Sequence, residues 1–257
     1  MAPGELIRML TIDALTHSYP GGHTAVDDLS LAVEAGELVT VVGPSGCGKS
    51  TLLRCIAGLQ RPTGGRVLLN GDEIRDVPDS LAMVFQSYGR SLLPWLSVRD
   101  NVALVLRHRY GSRRERRAAA LEALAEVGLA DAAAKHPGQL SGGMQQRVAI
   151  ARALAYGPKL LLMDEPFGSV DAQTREDLED LLLALRARTP VTVVLVTHDI
   201  DESVYLGDRV VVLTGAPGRV LAELPVGLPA DRDQIKTRQD PEFVRLRAEV
   251  GRLVREK

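Results

Sequence analysis

The sequence predicts an α/β fold in which a mainly parallel sheet is flanked by helices, with an antiparallel β subdomain and an inserted helical subdomain. Three observations carry this. Leu38 to Val42, Leu160 to Met163 and Val191 to Thr197 are unbroken apolar runs, as strands covered on both faces must be. The first two lead into residues suited to phosphate or metal chemistry, which belongs at the C-terminal edge of such a sheet. Helical patterns follow each run, so strand and helix alternate.

Leu81 to Phe85 is a fourth, shorter candidate for the main sheet. Met9 to Leu15, Leu29 to Val33 and Val67 to Asn70 alternate like half-exposed strands and predict the smaller antiparallel layer. From Ser87 to Tyr156 the chain becomes helical and rich in Ala, Arg and Glu. Arg113 to Val127 is the clearest helix there, with Gly128 as its stop. Beyond Val210, Gly215, Pro217 and Gly218 interrupt short apolar pieces and predict a hairpin, and from Asp240 a charged helix follows. The expected organisation is a single domain over 1–257. Its core is 1–86 and 158–225, its helical subdomain 87–157 and its helical tail 226–257.

Composition narrows the function. With 257 residues, 45% hydrophobic and 25% charged, the chain can bury a sizeable core. A formal charge of -2 gives no bulk attraction for nucleic acid, and no nucleic-acid partner is expected. No apolar run approaches the roughly 20 residues that span a bilayer, and the N-terminus lacks a secretory pattern, so an intracellular chain is expected. If Cys47 and Cys55 share a helix they stand ~12 Å apart, beyond the ~7 Å limit of a disulfide. Zinc is not expected either.

The most specific signal is Gly43-Pro44-Ser45-Gly46-Cys47-Gly48-Lys49-Ser50, followed by Thr51, between a predicted strand and a predicted helix. Glycines let backbone N–H groups converge on a triphosphate, and the helix N-terminus adds partial positive charge. Lys49 is expected on the β- and γ-phosphates and the Ser50 hydroxyl on Mg²⁺, which makes the fold a P-loop NTPase with ATP and Mg²⁺ as ligands. Asp164 and Glu165 end another run at the same sheet edge. Asp164 is expected to hold Mg²⁺ through water, and Glu165 to orient and deprotonate the attacking water.

A second anion-binding pattern lies at Ser141-Gly142-Gly143, before the helical run Gln146 to Tyr156. An N-cap serine and two glycines expose N–H groups at a helix start, yet one phosphate cradle is already present. Two half-sites on one chain predict a two-fold pair in which each Ser141 segment closes over ATP held by the other copy.

In this order the motifs resemble those of the ABC-transporter ATPases, from about Met9 to Arg219. The resemblance implies that Tyr19 stacks on adenine and that Gln86 links Mg²⁺ and the water to the helical subdomain. It implies that Ser141, Gly142, Gly143 and Gln145 belong to the family signature, that Asp171 contacts the opposite subunit, and that His198 is the switch histidine on the γ-phosphate. Ser169 and Val170 depart from the usual Ala-Leu before Asp171. Ser87-Tyr88-Gly89-Arg90-Ser91, then Leu92 to Val98, and Ala216 to Val220 are similar to importers of the nitrate, sulfonate, taurine and bicarbonate type. The implied partners are a second copy, membrane permease subunits and an extracytoplasmic solute-binding protein, with the chain peripheral on the cytoplasmic face of the membrane. Trp95 reads equally as a subdomain anchor or as a contact for a membrane partner. Arg113 to Arg117 reads as a solvated helix start. A soluble ABC-type ATPase is the competing class, disfavoured because the chain has neither coiled-coil insertions nor a second cassette. A GTPase would need a guanine-reading motif, which is absent.

Overall fold

The computed structural model describes residues 8–86 and 91–255, so the segment Ser87 to Arg90 lies outside the described residues. Within them, β1 (Arg8–Ser18), β2 (Thr24–Glu34), β4 (Gly64–Leu69) and β5 (Asp72–Glu73) form an antiparallel sheet in the order β2-β1-β4-β5. The main sheet is built from β3 (Leu38–Val42), β6 (Leu81–Val84), β7 (Leu160–Asp164), β8 (Thr192–Val196), β9 (Arg209–Leu213) and β10 (Val220–Pro225). Its order is β10-β9-β3-β8-β7-β6, parallel except for β10. The carboxyl ends of β3, β6, β7 and β8 therefore share one edge.

Alternate residues of the parallel strands enter two cores, the physical reason these runs are apolar throughout. Val39, Val41, Leu162 and Val194 pack with Leu52, Leu53 and Ile56 of α1 (Lys49–Ile56) and with the antiparallel sheet. Leu38, Val42, Leu161 and Val193 pack on the other side. That core includes Leu178 and Leu182 of α5 (Ala172–Arg188), and Val204 of α6 (Ile200–Leu206). It also takes in the inserted helices α2 (Val98–Val105), α3 (Arg113–Glu126) and α4 (Gly142–Ala155). The tail forms α7 (Lys236–Gln239) and α8 (Pro241–Arg255), and Phe243 and Val250 of α8 are fully buried in the same core. No helix among the described residues is long and apolar enough to cross a membrane.

Several expected boundaries shift. β1 and β2 are longer than their alternating patterns, because Ala14 and Asp28 take positive φ (48° each) at register irregularities that break the alternation without ending the pairing. Helix α4 starts at Gly142 rather than Gln146, so both glycines lie inside its first turn. Cys47 precedes α1 instead of sharing a helix with Cys55; both thiols are buried and free.

Candidate functional site

The chain leaves β3 at Val42, crosses Gly43 to Gly48 and enters α1 at Lys49. Two close approaches dictate glycine. Gly48 has φ 93°, and a Cβ there would sit 2.3 Å from the Ala25 carbonyl oxygen. Gly218, in the turn between β9 and β10, backs onto the same loop: a Cβ would lie 2.1 Å from the Cys47 carbonyl oxygen. Its N–H donates to Ala25 O at 2.9 Å, and its carbonyl accepts from Asp27 N at 3.1 Å. The Ala216 to Val220 hairpin is thus part of the loop's support.

Lys49 is buried, its Nζ donating to the carbonyls of Gly43 (2.7 Å) and Pro44 (3.0 Å). Cys47 Sγ lies 3.8 Å from Nζ; burial raises the thiol's pKa and the Lys49 charge opposes that rise. Ser45 and Gly46 stay exposed at the loop's tip. In the first turn of α1, Thr51 Oγ1 shares a 2.9 Å hydrogen bond with the Tyr19 hydroxyl, whose pKa that bond lowers. The Tyr19 ring stands edge-on to His17, with centroids 4.9 Å apart.

Ser50 Oγ donates to Asp164 Oδ1 at 3.2 Å. Asp164 ends β7 with 8% exposure; burial pushes its carboxyl above the usual range, and the Ser50 bond pulls it back. Two hard oxygen donors beside a phosphate loop, one of them a buried carboxylate, fit Mg²⁺.

Glu165 follows with φ 44°, a left-handed conformation that costs a non-glycine residue about 1–2 kcal/mol. Its N–H donates to Val196 O at 2.8 Å, and its carbonyl accepts from Gly168 N at 3.3 Å, holding the turn. The turn sets Glu165 Oε2 2.9 Å from Gln86 Nε2 and 3.2 Å from His198 Nδ1. Gln86 lies just past β6 and His198 just past β8. Residues beyond three strand ends therefore converge on one carboxylate oxygen.

The second glycine segment is arranged differently. Ser141 Oγ caps α4 by accepting from Met144 N at 3.3 Å, and Ser141 and Gly142 are exposed. Gly143 is buried against α5, where a Cβ would stand 2.4 Å from Thr174 Cγ2. Thr174 also anchors Asp171, the α5 N-cap, which accepts from Thr174 N (3.0 Å) and Oγ1 (2.7 Å); these bonds hold its carboxyl below the usual range. Gln145 turns inward, its amide donating to the carbonyls of Pro137 (3.1 Å) and Leu140 (3.3 Å). Among the described residues no hydrogen bond joins Ser141 to Gln145 with the Gly43 to Ser50 loop.

Gln146 belongs to none of the sequence motifs, yet it is a structural link to the site. It is fully buried, and its Nε2 donates to the carbonyl of Pro166, tying α4 to the residue after Glu165. The signal was there: a polar side chain on the same helical face as Ala149, Ile150 and Ala153. Trp95 is 70% exposed, which removes the subdomain-anchor alternative. Its loop is nonetheless fixed by fully buried Asn101, which accepts from Leu93 N (2.8 Å) and donates to the carbonyls of Leu93, Leu96 and Ser97. At the start of α3, Ser112 and Glu115 form a reciprocal capping pair, and Arg117 makes a two-pronged bond to Asp100.

A family model described as ABC transporter matches residues 26–168. The chain belongs to the ABC transporter family. It is 43% identical to the nitrate import ATP-binding protein NrtD of Synechococcus elongatus, over 93% of this chain and 89% of that protein. It is 44% identical to the bicarbonate transport ATP-binding protein CmpD of Synechocystis sp., over 93% of this chain and 86% of that protein. Among solved structures, a dimer of the ATP-binding cassette MJ0796 bound to ADP and Pi aligns with TM-score 0.75 and 37% identity, over 86% of this chain and all of that one. Clostridium perfringens cbiO1, part of the ABC transporter complex cbiONQ, aligns with TM-score 0.77 and 28% identity, over 85% and 88% of the two chains. This ABC cassette has the P-loop NTPase fold and is an ATP-binding ATPase coupled to transport.

Proposed function

We propose that this ABC ATPase is the motor subunit of an importer for a small oxyanion of the nitrate, sulfonate or bicarbonate type. In this reading it works as a two-fold pair on the cytoplasmic face of the membrane. The relatives' names, nitrate import and bicarbonate transport, support the nitrate and bicarbonate part of this class. The solute itself would be selected by separate permease subunits and an extracytoplasmic binding protein. The exposed, rigidly held Trp95 suits the helical subdomain's contact with a permease helix.

The observation that carries the mechanism is the convergence on Glu165 Oε2. With Gln86 and His198 on Oε2, Oε1 is left to orient the attacking water and take its proton. Gly43 to Thr51 bind the triphosphate, Lys49 on the β- and γ-phosphates and Tyr19 against adenine. Ser50 and Gln86, with Asp164 through water, would hold Mg²⁺, which would supply charge neutralisation at the phosphates. His198 contacts the γ-phosphate. Ser141, Gly142 and Gly143 present N–H groups to the γ-phosphate of the other copy, and Asp171 reaches that copy. Gln145 serves this segment from behind, by fixing the loop at Leu140.

A mixing experiment tests the divided site. Lys49→Ala and Ser141→Arg chains should each be inactive alone. Mixed one to one, they form pairs with one intact site, and hydrolysis should return to about a quarter of wild type. A mixture as dead as its components, or an active Ser141→Arg chain, would refute the shared pocket.

A further inference from the structure

The residues on either side of His198 are anchored by hydrogen bonds. Thr197 N donates to Val41 O at 3.1 Å, and Asp199 N donates to Thr197 Oγ1 at 2.9 Å. Asp199 in turn caps the seven-residue α6 through Glu202 N (3.1 Å) and accepts from Arg175 of α5 at 2.7 Å. Where α6 sits therefore decides where the histidine sits.

The C-terminal tail grips α6 along its length. Arg232 donates to the carbonyls of Val204, Tyr205 and Gly207 at the helix end. Arg238 lies 3.8 Å from Asp201, 5.6 Å over the Tyr205 ring, and 3.2 Å from Glu179 of α5. The Gln234 amide bridges back to α5, at Glu179 Oε2 (3.1 Å), Asp180 Oδ1 (2.9 Å) and the Glu176 carbonyl (3.2 Å). Arg247 adds a 2.7 Å pair with Asp201.

Beneath this grip lie two buried acids, Glu179 at 0% and Glu202 at 3% exposure, each with one oxygen lacking a partner. Packing alone would be served better by apolar side chains. Glu179 faces Arg175 on its own helix, Asp199 and Glu202 from α6 and its cap, and Gln234 and Arg238 from the tail. Burial pushes Glu179 up to about 7, so the negative charge that recruits Arg238 changes in the neutral pH range.

We propose that Gln234 and Arg238 are positioning residues for His198: Arg238 ties Glu179 of α5 to Asp201 and Tyr205 of α6, Gln234 accepts from Arg238 and anchors it on α5, and together they hold the histidine in register for hydrolysis. This rests on the role given to His198 above. The test is steady-state ATP hydrolysis by the full chain across pH 6 to 9, in Arg238→Ala, Arg238→Lys, Gln234→Ala and His198→Ala variants. Arg238→Ala should lower kcat about tenfold, leave KM for ATP within about twofold, and regain activity as Arg238→Lys. Gln234→Ala, which removes no charge, should show the same split more weakly. In Arg238→Ala the inflection of kcat should move to higher pH, because an influence that lowers the Glu179 pKa is gone. In a His198→Ala background Arg238→Ala should cost nothing further. Unchanged kcat in both tail variants, alongside a His198→Ala with reduced but measurable hydrolysis, overturns the inference and leaves the site reading standing. A loss that persists in the His198→Ala background, or one carried by KM, also overturns it. Wild-type hydrolysis by His198→Ala removes the site reading, and this inference with it.

Discussion

The two glycine-bearing segments do related chemistry from opposite starting points. Gly43 to Gly48 is braced by its own chain: Ala25 and Gly218 close in from behind, buried Lys49 is held by the loop's own carbonyls, and Ser45 and Gly46 are exposed at the tip. Ser141 and Gly142 stand exposed at the start of α4, and only Gly143 meets the rest of the molecule, at Thr174. The difference teaches that one segment is preorganised to bind by itself, while the other is fixed at its base and open at its tip. A surface built that way suits a ligand delivered by another copy.

The sharpest way to stress that contrast lies between the segments, at Glu165. Glu165→Gln should cut hydrolysis by about 10³-fold while ATP stays bound, and should accumulate a dimer under ATP and Mg²⁺. Light scattering that shows only monomer would count against the paired site. Next, Lys49→Ala strikes the braced segment and should weaken ATP binding by about 3 kcal/mol, on the order of a hundredfold, measured by titration calorimetry. Retained affinity would take Lys49 off the phosphates. Ser141→Arg strikes the open segment: hydrolysis should fall at least about a hundredfold with ATP affinity within about threefold. Equal loss of both would mean that Ser141 acts in its own subunit.

A different effect concerns stability, at Glu179 on the same helix as Thr174. Glu179 ionises at about 7 when folded and near its ordinary value when unfolded, so the wild type loses stability as pH rises from 4.5 to about 7. Glu179→Gln does not titrate, so its stability relative to wild type should improve across that window by on the order of 2–3 kcal/mol. Denaturant midpoints at pH 5 and pH 8 that move in parallel for the two proteins would contradict the buried-acid description.

Much of this was legible in the residues, for definite reasons. Unbroken apolar runs mark strands covered on both sides, so the parallel sheet and its chemical edge could be read directly. The phosphate loop could be read because a glycine's lack of Cβ leaves a trace in the sequence itself. Harder to see were features that depend on long-range approach. Nothing in the letters around Gly218 shows that it touches the Cys47 carbonyl. The meeting of Gln86, Glu165 and His198 on one oxygen, as distinct from their shared sheet edge, needs the left-handed turn at Glu165. The tail read as a charged helix because half of its residues from Asp240 onward are charged, yet Phe243, Leu246 and Val250 recur at spacings of three and four and bury one face.

That buried face sets a boundary for anyone who shortens or rebuilds the protein. A truncation just after Pro225 would spare every motif residue named here, yet strip Phe243 and Val250 from the core that also contains Val204 and Val210. The severed product would present a raw apolar surface and tend to clump, so its inactivity would say nothing about catalysis.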